Sequence, residues 1–424
     1  MARSLTPRDA HAIINLLVKE ATGQDATIQA VDSSSFVAVG ETILNTGLEN
    51  TLGALGMVLG RTMVSSRPYN APLNILNRVD DTEFAARWRK ISFYSQEAEA
   101  SGDWNTQSYT NLAMGFTNGE NESGGTPRST KSMWEQRQPV PLEVSFSGSS
   151  VWDDMITLYE YQVKEAFRDE ATFNQFVAGI LTEKANDMES QKEAFNRMTL
   201  LNYMAGLYDL TAASVTPGGA RNMTYEFNQR FGTSYTTAQL LSTYLKEFLQ
   251  FFVAEFKKES DRMEIRSKLR HWSPAKTIDG VSYVLLRHTP KDRQRTILYK
   301  PLFTEAEALV MPEIFNPQYL SLDNYEGVQF WQNENDPMKI SVTPAIPDST
   351  TGTTAGAAVT GLTCIGLLYD VDAIMTQFMI DRSAASPLEA RKMYHNLFWH
   401  YKKNAIGGDF TENGVLFYMK DPEG

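Results

Sequence analysis

Thr182-Glu183-Lys184-Ala185-Asn186-Asp187-Met188-Glu189-Ser190-Gln191-Lys192-Glu193 is a polar waist between two apolar ends. On its N-terminal side Phe173, Phe176, Val177, Ile180 and Leu181 recur at helical spacing, and on its C-terminal side so do Phe195, Met198, Leu201 and Met204. No proline intervenes, so Thr172 to Leu207 reads as one rod, roughly 50 Å long at 1.5 Å per residue. Lys184 with Asp187, and Glu189 with Lys192, supply i,i+3 pairs worth about 0.2–0.5 kcal/mol each. Apolar ends and a charged waist suit a rod that packs at its ends and bridges solvent or neighbouring chains between them. A long helix inside a larger helical domain is the plainer alternative.

Before the rod, Thr6, Pro7, Asp9 and Gly23 mark the start and stop of a short helix striped by Ile13, Ile14, Leu17 and Val18. Thr27 to Tyr69, punctuated by Gly, Ser and Thr, reads as an arm lying on other structure. Phe84 to Tyr94 alternates aromatic and basic residues, as a two-faced strand does, and Val140 to Ser147 reads as its returning partner. Between them Ser101 to Lys131 is polar and rich in Gly, Asn and Ser, which favours a long two-stranded excursion from the body. Ser149-Ser150 followed by Val151-Trp152-Asp153-Asp154 predicts a helix through Met155, Leu158, Tyr159 and Val163 to Phe167.

After the rod, Thr216-Pro217-Gly218-Gly219 is a break, and an amphipathic helix begins after Thr236-Thr237, carrying Leu240, Leu245, Phe248, Leu249, Phe252 and Phe256 to the charged run Lys257–Arg262. Strands are predicted at 282–286, 296–299 and 338–342, with 328–333 leading into the last. Ile346 to Gly361 is low-complexity and reads as a mobile surface loop. The tail reads as strand, helix and turn, closing on a strand at 414–419.

The chain has 424 residues, 42% hydrophobic and 21% charged, which is globular composition and room for about two or three domains. A net charge of −12 argues against wholesale nucleic-acid binding. The single cysteine, Cys364, sits in an apolar run and reads as an inert buried strand residue; alone it excludes an intrachain disulfide or a cysteine-rich zinc site. The start lacks a signal peptide's apolar core, and Thr51 to Gly60 is half a membrane span, so a cytosolic chain without membrane contact is expected.

Catalytic arrangements are missing: no nucleophile elbow, phosphate loop, His-Glu-x-x-His or EF-hand is present. His395 and His400, five apart, fall on different helical faces and do not suggest a shared metal. Asp370-x-Asp372 could hold Mg²⁺, but a capped strand-to-helix turn explains it as well. Asp153-Asp154 suits a helix's first turn, and Arg266, Lys268 and Arg270 a solvated face. No catalytic, cofactor-binding or metal residue is predicted.

Val328-Gln329-Phe330-Trp331-Gln332-Asn333, then Asp336-Pro337-Met338-Lys339-Ile340-Ser341-Val342-Thr343-Pro344, resembles a segment of tailed-phage major capsid proteins. So do Ile365 to Met375, with its strand Gly and Asp372-Ala373-Ile374 turn, Ser386 to Arg391, His395 to Tyr401, and Asp409 to Val415. Ser147 to Leu207 is similar to the region leading into that family's backbone helix. The resemblance, strongest toward short-tailed phages, implies an α+β protein with the Hong Kong 97 phage fold. It implies an N-terminal arm (1–83), an extended β-hairpin loop (84–147), a peripheral domain with a long spine helix (148–215), an axial domain (216–361) and a completing C-terminal part (362–424). It further implies a non-enzymatic major head protein that self-assembles as hexamers and pentamers into an icosahedral shell around double-stranded DNA. Each subunit would lay its arm and loop across neighbours, with Ile346 to Gly361 near the rotation axes. Scaffolding, portal and decoration proteins would be partners, and assembly in the host cytoplasm would end in the virion. Lys131, the only Lys of the polar loop, matches no cross-linking position, so no isopeptide bond is predicted.

The same fold would serve an encapsulin-like nanocompartment that carries cargo enzymes. A soluble hydrolase or transferase with an unrecognised site, or an adaptor built on the long helix, are readings from other classes.

Overall fold

The computed structural model describes residues 15, 39, 73, 76–78, 87–95, 139–147, 149–159, 170–274, 276–278, 281–309, 325–387, 389 and 391–421. Apart from Asn15, which is helical, the expected Thr6–Gly23 helix lies outside them, as do nearly all of the rest of the arm and the Ser101–Lys131 loop. In chain order the first elements are β1 (Asn77–Arg78), β2 (Arg87–Phe93), β3 (Pro141–Ser147), β4 (Ser149–Tyr159), α1 (Glu170–Ala212) and β5 (Ala220–Asn222). Then come α2 (Met223–Phe231), α3 (Thr237–Leu240), α4 (Leu245–Met263), β6 (Lys276–Ile278), β7 (Val281–Tyr283), β8 (Gln294–Tyr299) and α5 (Lys300–Leu309). The remainder is all strand: β9 (Tyr325–Val328), β10 (Lys339–Val342), β11 (Ala345–Asp348), β12 (Gly352–Ala355), β13 (Val359–Asp370), β14 (Ile374–Ala385), β15 (Tyr394–Gly408) and β16 (Gly414–Met419). The chain is α+β, as the sequence predicts.

The rod is real and longer than its apolar pattern: α1 runs 43 residues. It passes through Gly206, where a Cβ would sit 2.4 Å from the Phe410 ring, so the residue serves close packing inside the helix. The C-terminal half is core, with Leu200, Tyr203, Met204, Leu207 and Leu210 at most 3% exposed. The waist is only partly as expected. Its i,i+3 pairs form, at 3.7 Å for Lys184–Asp187 and 2.7 Å for Lys192–Glu189. Yet Lys184 and Met188 are buried, because this side of the helix lies on a sheet.

That sheet has the order β1-β14-β15-β4 and overturns two sequence readings. Ser149 to Tyr159 is a strand, not the start of a helix, and pairs with β15 from Ser149↔Asn404 to Tyr159↔Tyr394. Met155, Leu158 and Tyr159 are at helical spacing; in the strand Leu158 is buried on one face while Met155 and Tyr159 are exposed on the other, so the long partner strand overrides the local pattern. The tail carries no helix between β13 and β16 among the described residues, because β14 and β15 form a long antiparallel pair with two register shifts.

A second sheet has the order β5-β16-β13-β8-β9, with β10 also on β13. α4 covers it: Phe252 and Phe256 meet Phe417 at 5.5 and 5.4 Å between ring centroids. Thr236 caps α3 in a reciprocal box with Gln239, at the expected helix start, while a turn at 241–244 separates α3 from α4. Gly366 in β13 gives Leu298 room, since a Cβ there would lie 2.3 Å from it. Cys364 is fully buried, and burial pushes its thiol far above its ordinary range. It is expected to resist alkylation in the native protein and to react once on unfolding, which mass spectrometry checks.

The stretch Ile346–Gly361 is not simply a loop. Its first part is the β11–β12 hairpin and its end is in β13. Asn202 of α1 holds the hairpin, accepting the Ala345 N–H at 2.7 Å, and Asp209 accepts the Ala357 N–H at 3.1 Å.

Candidate assembly interface

The β2–β3 hairpin follows from its alternating sequence, in register from Arg87↔Ser147 to Phe93↔Pro141. A strand's side chains point to opposite faces in turn, and here the two faces differ in kind. Lys90, Ser92 and Tyr94 face the body, whereas Ile91 and Phe93 are 62% and 60% exposed beside an Arg89–Glu143 pair at 3.7 Å.

The inward face is fastened mainly by polar groups. The Lys90 ammonium donates to Asp409 at 2.6 Å and also pairs with Glu412. Arg287 pairs with Glu412 at 3.2 Å and donates to Ser92 Oγ at 2.6 Å and to the Thr411 carbonyl at 3.1 Å. Tyr94 donates its hydroxyl to the Pro274 carbonyl at 3.1 Å, and the Ser95 N–H donates to Val284 at 3.0 Å.

The receiving structure is the turn 409–414 between β15 and β16. Asp409 accepts from the Thr411 N–H and hydroxyl at 2.9 and 2.7 Å, which fixes the turn locally. Asp409 N–H donates to Ala373, Trp272 N–H to Phe410, Asp370 N–H to Asn413, and Gly414 N–H to Arg270. One short turn therefore ties both sheets, the segment after α4 and the hairpin together. His271 lies fully buried beside it, 3.2 Å from Asn413 Oδ1 and 2.9 Å from the Leu285 carbonyl, and burial holds its pKa below the ordinary value.

Electrostatics favour the closed anchor. Burial alone would lower the Lys90 pKa, but attraction first to Asp409 and then to Glu412 outweighs it and raises the pKa above the ordinary 10.5. Burial pushes the Glu412 carboxyl above its ordinary range against the pull of Lys90 and Arg287. A lysine whose pKa is higher in the folded state contributes stability that is complete below its unfolded pKa and lost as pH rises through the folded one. Hairpin attachment is thus expected to hold from neutral pH to 10.5 and weaken above it. Limited proteolysis across an alkaline series checks this; release near neutral pH would contradict it.

The other residues singled out in the sequence are not gathered at a site. Asp370 accepts from Thr289 at 2.9 Å and from the Asp372 N–H at 3.0 Å, so it closes a strand-to-strand turn, not the strand-to-helix turn expected. Asp154 lies in β4 and pairs with Lys184 at 2.8 Å, and Asp153 is in the same strand, so neither starts a helix. Arg270 is not on a solvated face; it is buried against Glu259. His395 and His400 are on β15, the first buried against the Ser386 carbonyl at 2.9 Å, the second stacked on Phe398. Lys90, Arg287 and Glu412 escaped sequence reasoning, because no spacing connects residues 322 positions apart.

A cleft of about 680 Å³ separates β3 from the β11–β12 hairpin, with Trp272, Phe410 and Asp409 among its lining. Its carboxylates are structurally engaged: Asp348 accepts from the Thr350 and Thr351 N–H groups, and Asp409 holds Lys90. Among the described residues no group of three His, Cys, Asp or Glu side chains could hold a metal, and no helix is long and apolar enough to cross a membrane.

No family model and no curated protein matches the chain. Solved structures do. A structure titled for the capsid of Staphylococcus phage Andhra aligns at TM-score 0.47 and 11% identity, covering 84% of each chain. One titled for the head fiber and inner core protein gp22 of native bacteriophage P68 aligns at TM-score 0.47 and 10% identity, covering 82% of this chain and 83% of that one. One titled for the capsid of cyanophage P-SCSP1u aligns at TM-score 0.43 and 10% identity, covering 82% and 87%.

Proposed function

We propose that this chain is the major capsid protein of a tailed phage, a structural and non-enzymatic subunit whose pentamers and hexamers close into a shell around double-stranded DNA. The observation that carries the reading is the β2–β3 hairpin, held to the body on one face while Ile91 and Phe93 stand exposed on the other. A monomer gains nothing from holding an apolar ribbon in water; such surfaces mark contacts between molecules. The long helix, the hairpin before it and the motifs from Val328 to Val415 agree with the resemblance in kind and order. In this reading 1–83 is the arm, 84–147 the extended loop, 148–215 the peripheral domain with the spine helix, 216–361 the axial domain, and 362–424 the part completing the peripheral and axial core. Many modest contacts then add through closure of five- and six-fold rings.

The test is light scattering with negative-stain microscopy on the chain, alone and co-expressed with the genes beside its own. Closed shells or five- and six-fold rings are expected. A monodisperse monomer under both conditions overturns the proposal.

A further inference from the structure

A buried hydrogen-bonded chain runs beside the anchoring turn. The Thr289 hydroxyl donates to Asp370 Oδ2 at 2.9 Å, and its oxygen accepts from the Asn413 side-chain N–H at 3.2 Å. That orients the Asn413 amide and leaves its Oδ1 facing His271 Nδ1 at 3.2 Å. The Leu285 carbonyl faces the other ring nitrogen, Nε2, at 2.9 Å. Both nitrogens of a ring with no exposed surface therefore point at acceptors. A neutral imidazole has one N–H and satisfies one of them; only the imidazolium satisfies both. His395, also buried, differs, since its Nε2 meets no partner among the described residues.

We propose that His271 is a proton-operated latch: the joint closes around a neutral ring, and proton uptake in mild acid opens it and slackens the root of the β2–β3 hairpin. The device belongs to the single chain and is independent of the shell reading above.

The charged groups around the ring leave an added proton without a counter-charge of its own. On the turn, Asp409 pairs with Lys90 at 2.6 Å, and Glu412 pairs with Lys90 and with Arg287 at 3.2 Å. At the end of β13, Asp370 lies 3.7 Å from Arg293, which also pairs with Asp372. Arg270, the neighbour in sequence, is held by Glu259. Arg287, on the segment that carries Leu285, opposes an imidazolium, while Asp409 favours it. α1 contributes Tyr203, whose hydroxyl burial pushes well above the ordinary 10, and His288 is exposed.

Burial is the largest influence and lowers the His271 pKa below the ordinary 6.5, against the pull of the two hydrogen bonds. Opening the joint returns water to the ring and with it the ordinary value. The neutral ring thus supports closure above pH 6.5, and this support is lost as pH falls through the folded pKa. Glu412 acts with the opposite sign: burial raises its carboxyl above the ordinary 4.5, so its own proton uptake favours the closed joint. A variant without the histidine separates the two. The turn that loosens is the one that receives Lys90, so the hairpin loosens with it.

The experiment is hydrogen exchange of the purified chain from about pH 7.5 to about pH 5, corrected for the intrinsic effect of pH on exchange. Residues 409–414 and 89–94 are expected to exchange several-fold faster toward the acid end in the parent. His271→Gln, whose amide donates but does not titrate in this range, is expected to show no such change. A parent without the acceleration overturns the proposal. So does an equal acceleration in His271→Gln, which would assign the effect to the carboxylates. Where the glutamine variant does not fold, the His271 ring titration in the parent, followed by NMR, decides. A midpoint below 6.5 supports the latch, and one at or above 6.5 overturns it.

Discussion

Replacing Glu259 by leucine is expected to cost about 3–5 kcal/mol of stability, because it strands a buried cation. Glu259 is 2% exposed at the end of α4; it pairs with Arg270, with Arg221 at 3.1 Å and with Arg262 at 3.2 Å. Arg221 keeps Glu226 and Glu255. Arg270, 8% exposed, has no other ion pair among the described residues, and its guanidinium would remain buried without a counter-charge. The contrast is Asp261→Ala, which removes the Lys291 pair whose side chains are 39% and 58% exposed; it is expected to cost under about 1 kcal/mol. Denaturant midpoints of both variants beside the parent check the pair of values, and equal shifts would refute the argument.

Lys90→Met is expected to leave the body folded and free the hairpin. The substitution keeps the apolar stem but leaves Asp409 with no ion pair among the described residues, and Glu412 with Arg287 alone. Breaking a buried pair by removing one partner costs about 3–5 kcal/mol, here confined to the hairpin's attachment. Opening of the hairpin should therefore become at least about a hundredfold more frequent, at about 1.4 kcal/mol per tenfold. Hydrogen exchange of residues 89–94 should accelerate accordingly while Cys364 stays shielded, and particle assembly should fall sharply. Lys90→Arg, which keeps the charge, should restore much of the protection. Unchanged exchange in Lys90→Met would show that the hairpin is held by its backbone contacts instead.

The two ion clusters illustrate what lay within reach of sequence reading. The pairs at spacings of three along α1 were legible because a helix fixes which residues are neighbours. Those joining Lys90 to Asp409 and Arg270 to Glu259 were not, since local spacing says nothing about which loops meet. The motif Asp409 to Val415 was recognisable by resemblance, but its work as the turn that ties both sheets to the hairpin became visible only with the backbone hydrogen bonds around it. No catalytic set was expected from the sequence, and the residues it did single out, Asp370, Asp153, Asp154, His395 and His400, have separate structural partners or none.

By itself the sequence determined the elements whose signal is local and periodic. These are the long helix, the aromatic helix α4 with its capped approach at Thr236, the alternating strands β2 and β3, and the burial of Cys364. Tertiary structure decided the rest. Ser149 to Tyr159 has helical apolar spacing and becomes a strand because β15 offers backbone partners along its whole length. The Thr- and Gly-rich stretch after Ile346 becomes a hairpin where Asn202 of α1 receives it. Lys184 and Met188 of the charged waist are buried because a sheet assembled from residues on both sides of it in sequence lies beneath. A strand's hydrogen bonds and a buried ion's counter-charge come from distant residues, so the chain must already be folded before either is specified.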